Sequence, residues 1–151
     1  MSKTNVSYLV IVLSALKKVE GRTRLQKIMY LLKKLYVKDL PYTFKPYYYG
    51  PYSDELQDDL KLLVDVGLVK EERKEIEYGT QYVYQVSEDI KEIVIKFLNT
   101  LEASERKKLK QIQQHVKKLN KYPTSSLIAL AKALMNNDVS IDDAKTILDI
   151  N

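Results

Sequence analysis

Apolar positions recur at helical spacing over most of this chain and switch to strand alternation in one stretch. Leu9, Val12, Leu13 and Leu16 line one face of a first helix, predicted from about Thr4 or Asn5 to Val19. Gly21 then reads as its C-terminal cap. A second helix is predicted from Thr23 to about Val37, with Leu25, Ile28, Met29, Leu32, Leu35 and Tyr36 as a broad apolar face. Thr23 as N-cap and Gln26 three residues on form a capping-box pattern. Lys27, Lys33 and Lys34 fall away from the apolar face, with Tyr30 between them.

Helical periodicity stops at Lys38. Pro41, Pro46 and Pro51 break any helix there, and Tyr47-Tyr48-Tyr49 favours a short strand. Gly50 allows an unusual backbone angle at the following turn, and Pro51 sets the entry into the next helix. That third helix takes Ser53 as N-cap, carries Asp54 and Glu55 in its first turn, and buries Leu56, Leu60, Leu63 and Val64. Gly67 closes it. Leu68 to Lys74 and Gln81 to Ser87 then read as two strands of a hairpin turning around Glu77-Tyr78-Gly79-Thr80.

Beyond this point the pattern is helical again. Ser87 caps a helix bearing Ile90, Ile93, Val94, Phe97 and Leu98, and Ser104 caps the next, through about Asn120. Pro123 separates it from a helix over Thr124 to Met135, and Ser140 caps a short last helix with Ala144, Ile147 and Leu148. The order predicts a mostly helical α+β fold. Residues 1–87 form a winged-helix-like module with a β-hairpin wing. Residues 88–151 form a C-terminal helical extension, either packed on that module or forming a dimer interface.

The stretch GRTRLQKIMYLLKKL, followed by YYYGPYSDEL and LLVDVGLV, resembles the uncharacterised YwgA-like proteins. The matching residues are Gly21, Arg22, Leu25, Gln26, Lys27, Tyr30, Tyr49, Gly50, Pro51, Tyr52, Ser53, Leu56 and Gly67, within roughly the first 90 residues. More distantly the pattern is similar to the Panacea domain, which is associated with antitoxins and adaptor-like protein binding. The resemblance implies a winged-helix-like fold and carries no catalytic assignment.

Composition narrows the chemistry. The chain has no cysteine, which excludes disulfides, thiolate metal sites and a Cys nucleophile. His115 is the only histidine, so a His-based metal cluster or triad is excluded too. Asp54, Glu55, Asp58 and Asp59 share helix faces as carboxylate pairs, but such pairs are common on solvated helices, and no metal or other cofactor is expected. There is no phosphate-binding glycine loop and no Gly-x-Ser-x-Gly turn. The chain is not expected to be an enzyme. Val6 to Leu16 is apolar-rich but too short to span a bilayer, and Lys17, Lys18 and Glu20 follow it where a signal peptide needs a cleavage site. A buried first helix and a cytoplasmic protein are expected.

Net charge is +5 with a pI near 9.1, and its distribution says more than its sum. The third helix exposes Asp54, Glu55, Asp58, Asp59 and Asp65 against only Lys61, and so would repel the phosphates of a major groove. The hairpin mixes Arg73 and Lys74 with Glu71, Glu72, Glu75 and Glu77, a poor minor-groove probe. Cations gather instead at Arg22, Arg24, Lys27, Lys33, Lys34 and Lys38, and again at Arg106, Lys107, Lys108, Lys110, Lys117, Lys118 and Lys121. At 100° per residue Arg106, Lys110, Lys117 and Lys121 form one stripe, either a phosphate-binding row or the solvated face of an amphipathic helix.

The leading expectation is therefore a non-enzymatic DNA-binding or transcription-regulatory protein. Its phosphate contacts would come from Arg22, Arg24, Lys27, Lys33, Lys34, Arg106, Lys110, Lys117 and Lys121. The alternative is a protein-interaction module of antitoxin or adaptor type, using Asp54, Asp58, Asp59, Tyr48 and Tyr52. Strand alternation would send Tyr47 and Tyr49 to one side and Tyr48 to the other, with at least one set in the core. The apolar surface of the added helices leaves a homodimer open.

Overall fold

The computed structural model describes residues 3–150. Its elements run α1 (Lys3–Leu16), β1 (Lys18–Glu20), α2 (Arg22–Leu35), β2 (Lys45–Tyr47), β3 (Gly50–Tyr52), α3 (Asp54–Asp65), β4 (Val69–Ile76), β5 (Gly79–Val86), α4 (Glu88–Asn99), α5 (Ala103–Leu119), α6 (Thr124–Met135) and α7 (Ile141–Asp149). The fold is α+β and mostly helical. One antiparallel sheet has the order β1-β5-β4, and β2 and β3 form a separate two-stranded hairpin.

The first helix ends earlier than its periodicity predicts. Lys17 takes a left-handed φ of 66°, and Lys18, Val19 and Glu20 leave as a strand paired with Gln85, Tyr84 and Val83. Alternation explains the switch: Val19 is buried opposite Tyr84, while its two charged neighbours stay exposed. Gly21 is consequently not the C-cap of α1 but the N-cap of α2, at φ 104° and ψ 140°. Among the described residues no helix is long and apolar enough to cross a membrane. The apolar run in α1 puts Leu9, Ile11, Val12, Leu13 and Leu16 into the core.

Helix α2 is the centre of the molecule. Every residue from Leu25 to Leu32 is buried, the pattern of a helix enclosed on all sides. It contacts α5, α6, α7, β3 and the sheet, while α5 lies along α1. A single apolar cluster draws residues from all seven helices, including Leu109, Ile112, Val116 and Leu119 of α5 and Ala144 and Leu148 of α7. The helices beyond residue 87 are thus docked on the first part of the chain. This enclosure takes Lys27 off the solvent-facing basic side expected of the second helix, while Arg22 and Lys34 stay exposed.

The capping box also fails to form. Gly21 caps α2 without a side-chain bond, and Gln26 turns inward. Its Nε2 donates to the Ser53 carbonyl at 3.0 Å, and its Oε1 accepts from the Ser53 amide at 2.8 Å. Ser53 does cap α3, its Oγ accepting from the Leu56 amide, and Ser140 caps α7 in the same way. Ser87 sits at the N-cap of α4 but makes no side-chain cap bond, and Ser104 lies inside α5, whose N-cap is Glu102.

Replacing Gln26 by Leu keeps the volume and strands the Ser53 amide in the core, while the Ser53 carbonyl keeps the Gln57 amide at 3.3 Å. An unpaired buried polar group costs about 1–3 kcal/mol, so Gln26→Leu is expected to lose about 1–3 kcal/mol in urea denaturation. Thr23→Ala, with no capping box to break, should stay within about 0.5 kcal/mol of wild type.

Candidate functional site

Segment 36–52, which joins α2 to α3, builds the most distinctive surface. Tyr48 and Tyr49 form the two-residue tip of the β2–β3 hairpin, in which Tyr47 faces Gly50. Tyr47, Tyr48 and Tyr49 are 56%, 82% and 61% exposed. This corrects the expectation that one set of these tyrosines enters the core. The strand is only three residues long, so its alternation ends where the tyrosines begin. Tyr42 is the buried tyrosine, and its hydroxyl donates to Asp59 Oδ2 at 2.7 Å. Burial, reinforced by that carboxylate, pushes the Tyr42 phenol well above its ordinary pKa. The Tyr47 ring lies 4.9 Å from Tyr48 and 5.1 Å from Tyr52, so these three rings form one cluster.

The hairpin is braced from beneath by Lys27. Its side chain is only 2% exposed, and its Nζ donates to the Pro51 carbonyl at 2.9 Å. Gly50 holds φ at 102°, and a Cβ there would stand 3.2 Å from Lys132 Cγ and 3.6 Å from Lys27 Cε. The glycine therefore serves both the backbone turn and the passage of two lysine stems. Burial, with the neighbouring Lys132 ammonium adding to it, pushes the Lys27 pKa down to about 8. Lys27 is thus a structural brace and no phosphate ligand on an open face, which corrects its place in the basic set.

Three arginines of that set are also engaged. Arg22 lies over the Tyr82 ring at 4.0 Å and donates from Nε to the Tyr84 hydroxyl at 3.0 Å. Tyr84 in turn donates to Glu71 and is pushed up to about 12, by burial first and that carboxylate second. Arg24 ties α2 to the start of α6, donating to Thr124 Oγ1 and to both Asn120 oxygens. Arg106 donates to the carbonyls of Leu98 and Leu101 and so closes the end of α4. The helical stripe is shorter than predicted, because α5 ends at Leu119, before Lys121. Lys110, Lys117 and Lys121 are exposed, as is Lys34, while Lys33 donates to the Tyr42 carbonyl. The nine predicted phosphate ligands do not form one open surface.

The alternative set is brought closer together. Tyr48 and Tyr52 belong to the tyrosine cluster, and Asp54 follows two residues after Tyr52, paired with Lys45 at 2.7 Å. Burial, aided by Asp54, raises the pKa of Tyr52. Glu55 accepts from the Thr43 amide at 2.8 Å, so Asp54, Glu55 and Asp59 all fasten the connecting segment to α3. Asp58 is exposed. Sequence reasoning missed the brace made by Gln26, Lys27 and Lys132. The available signal was the Leu25-to-Leu32 run, in which Gln26 and Lys27 are the polar residues.

Comparison of the chain with models of known protein families and with curated proteins finds no match. The resemblance to the YwgA-like and Panacea patterns rests on the quoted motif.

Lys27 gives stability a defined pH dependence. Between about pH 8 and the unfolded lysine's 10.5, the unfolded chain holds the Lys27 proton and the folded chain has lost it. Folding then releases a proton, and stability rises with pH through that window. The rise, on the order of 1–3 kcal/mol, should disappear in Lys27→Met when urea unfolding of the two proteins is compared from pH 7 to 10.5.

Proposed function

We propose that this chain is a non-enzymatic protein-interaction module of antitoxin or adaptor type, whose contact surface is the β2–β3 tyrosine hairpin and the adjoining first turn of α3. One observation carries this reading: Tyr47, Tyr48 and Tyr49 stand in water on a tip held by a buried lysine and a left-handed glycine. Tyrosine brings large contact area with few rotatable bonds, and it is enriched among the residues that dominate binding energy. Exposed aromatics on a rigid tip lose little entropy on docking. The resemblance of the Gly21–Gly67 segment to Panacea domains points the same way. It supports reading α1 to β5 as a winged-helix derivative with a hairpin inserted between its second and third helices.

DNA binding has less support. Arg22, Arg24, Lys27 and Arg106 are engaged inside the fold, and α3 presents carboxylates where a recognition helix needs a neutral or basic face. Lys34, Lys110, Lys117 and Lys121 remain as phosphate ligands for a DNA reading. A cysteine-free composition fits a reducing compartment, and a cytoplasmic location is part of the proposal.

The test is affinity capture with the full chain in its native cell, comparing wild type, Tyr48→Ser/Tyr49→Ser and Lys110→Glu/Lys117→Glu/Lys121→Glu. The tyrosine variant should lose the captured partner by about tenfold or more, in line with about 1.4 kcal/mol or more of hot-spot energy. The charge-reversal variant should retain it. A duplex-DNA titration decides against the proposal if log K falls with log salt by several contacts at about −0.9 each and the lysine variant abolishes binding.

A further inference from the structure

A second surface of the same connecting segment has a different chemistry. Where α2 ends, the chain turns back over it and leaves a cleft of about 390 Å³ closed on its far side by the start of α7. Its floor is apolar: Tyr30, Phe44 and Ile141. The Tyr30 and Phe44 rings meet edge to face, with centroids 5.4 Å apart at 80°. Its rim is cationic: Lys33 and Lys34 from the last turn of α2, and Lys38 just beyond it, with Thr43 opposite. Among the described residues no carboxylate lines the cleft.

Of the acidic groups near in sequence to the lining residues, Asp142 and Asp143 follow Ile141 in the first turn of α7 but do not line the cleft, and the others are already committed. Asp39 pairs with Lys108 at 2.8 Å, Glu55 accepts from the Thr43 amide, and Asp59 accepts from Tyr42. Lys34 and Lys38 are exposed and make no ion pair among the described residues. The end of α2 contributes about half a negative charge, which three ammonium groups outweigh. Such a site gathers three cations beside an apolar wall.

We propose that this cleft binds a mononucleotide. Lys34, Lys38 and the Thr43 hydroxyl take the phosphate, and the base stacks on the Phe44 ring, which Tyr30 supports edge-on from beneath. Phosphate suits a cluster of ammonium groups because it concentrates more than one negative charge on one small group. The base suits the floor because every nucleobase presents a π-face to an aromatic side chain. The volume lies at the low end of the ~300–1,000 Å³ typical of small-molecule sites, which favours one nucleotide over a dinucleotide. This site is independent of the tyrosine hairpin as a binding surface, and either can stand without the other.

The experiment is an amide and methyl NMR titration of the full chain with AMP, adenosine and inorganic phosphate in parallel, repeated on Lys34→Glu/Lys38→Glu. Both lysines are exposed, so the variant keeps the fold, and its unperturbed spectrum away from the cleft confirms that. AMP should bind at sub-millimolar concentration, shift Lys34, Lys38, Thr43 and Ile141, and bind at least tenfold more tightly than adenosine or phosphate alone. The variant should lose at least tenfold of the AMP affinity. Equal binding of phosphate and AMP would overturn the base-stacking role and with it the proposal. So would shifts located elsewhere, AMP binding unchanged in the variant, or no binding of any probe. A short single-stranded oligonucleotide that binds at least tenfold more tightly than AMP would also overturn it, in favour of a polymer ligand.

Discussion

The two hydrogen bonds between the Gln26 side chain and the Ser53 backbone are the constraint on which the rest of this structure depends. They join the enclosed central helix to the N-cap of α3. A buried backbone amide tolerates few alternatives, because leaving it unpaired costs more than pairing it gains. The clamp therefore selects one seating for Ser53 more than it adds stability. Once Ser53 is seated, its hydroxyl caps α3, and the carbonyl two residues earlier points at Lys27. The tyrosine tip is then directed away from the core by the short β2–β3 pairing.

Lys27 is the less economical part of the arrangement. A methionine would fill the space without desolvating an ammonium, and a buried lysine beside another lysine is unfavourable on both counts. What the ammonium provides is a directed bond to the carbonyl of Pro51, a strand residue that faces Pro46 and whose own nitrogen cannot donate. With Gly50 free of a Cβ above it, the lysine stem reaches under the turn and holds it from below. The fold thus places polar groups of real energetic consequence under residues that contribute nothing to its core. That placement is the reason to regard the tip as a surface with a use.

Much of the fold was legible because periodicity reports burial. The helices, the β4–β5 hairpin, and the caps at Ser53 and Ser140 all follow from local pattern and local hydrogen bonding. The errors share a different origin. A three-residue strand such as β1 carries too little alternation to interrupt a helical reading, and Lys17 in a left-handed conformation has no signature of its own. The capping box at Thr23 and Gln26 satisfied a local rule that a long-range partner, Ser53, overrode. The candidate site was half legible. Gly50 and Pro51 stood out, yet the side chains beneath them were taken for surface, because helical spacing cannot tell a helix covered on one side from one covered all round. Arg22, Arg24 and Arg106 failed as phosphate ligands for a similar reason. Each finds its acceptors in elements distant in sequence or across a helix junction, which composition does not reveal.

The acidic character of α3 illustrates how little a charge pattern says until its partners are known. Read along the sequence, Asp54, Glu55, Asp58 and Asp59 form a block that repels nucleic acid or invites a basic partner. In the folded chain, Asp54 holds Lys45, Glu55 holds the Thr43 amide and Asp59 holds the Tyr42 hydroxyl. Together with Lys108 on Asp39 and Lys33 on the Tyr42 carbonyl, these contacts fasten residues 39–45 from three sides. Several are exposed pairs worth little singly, but they act on one short segment whose two ends are already fixed by α2 and Ser53. A segment without regular structure is thereby held in one conformation. Its inner turn can then shape a cleft beside Lys34 and Lys38, and its outer turn can present tyrosines. The carboxylates of α3 serve the geometry of both surfaces, and only Asp58 is left to act directly as charge.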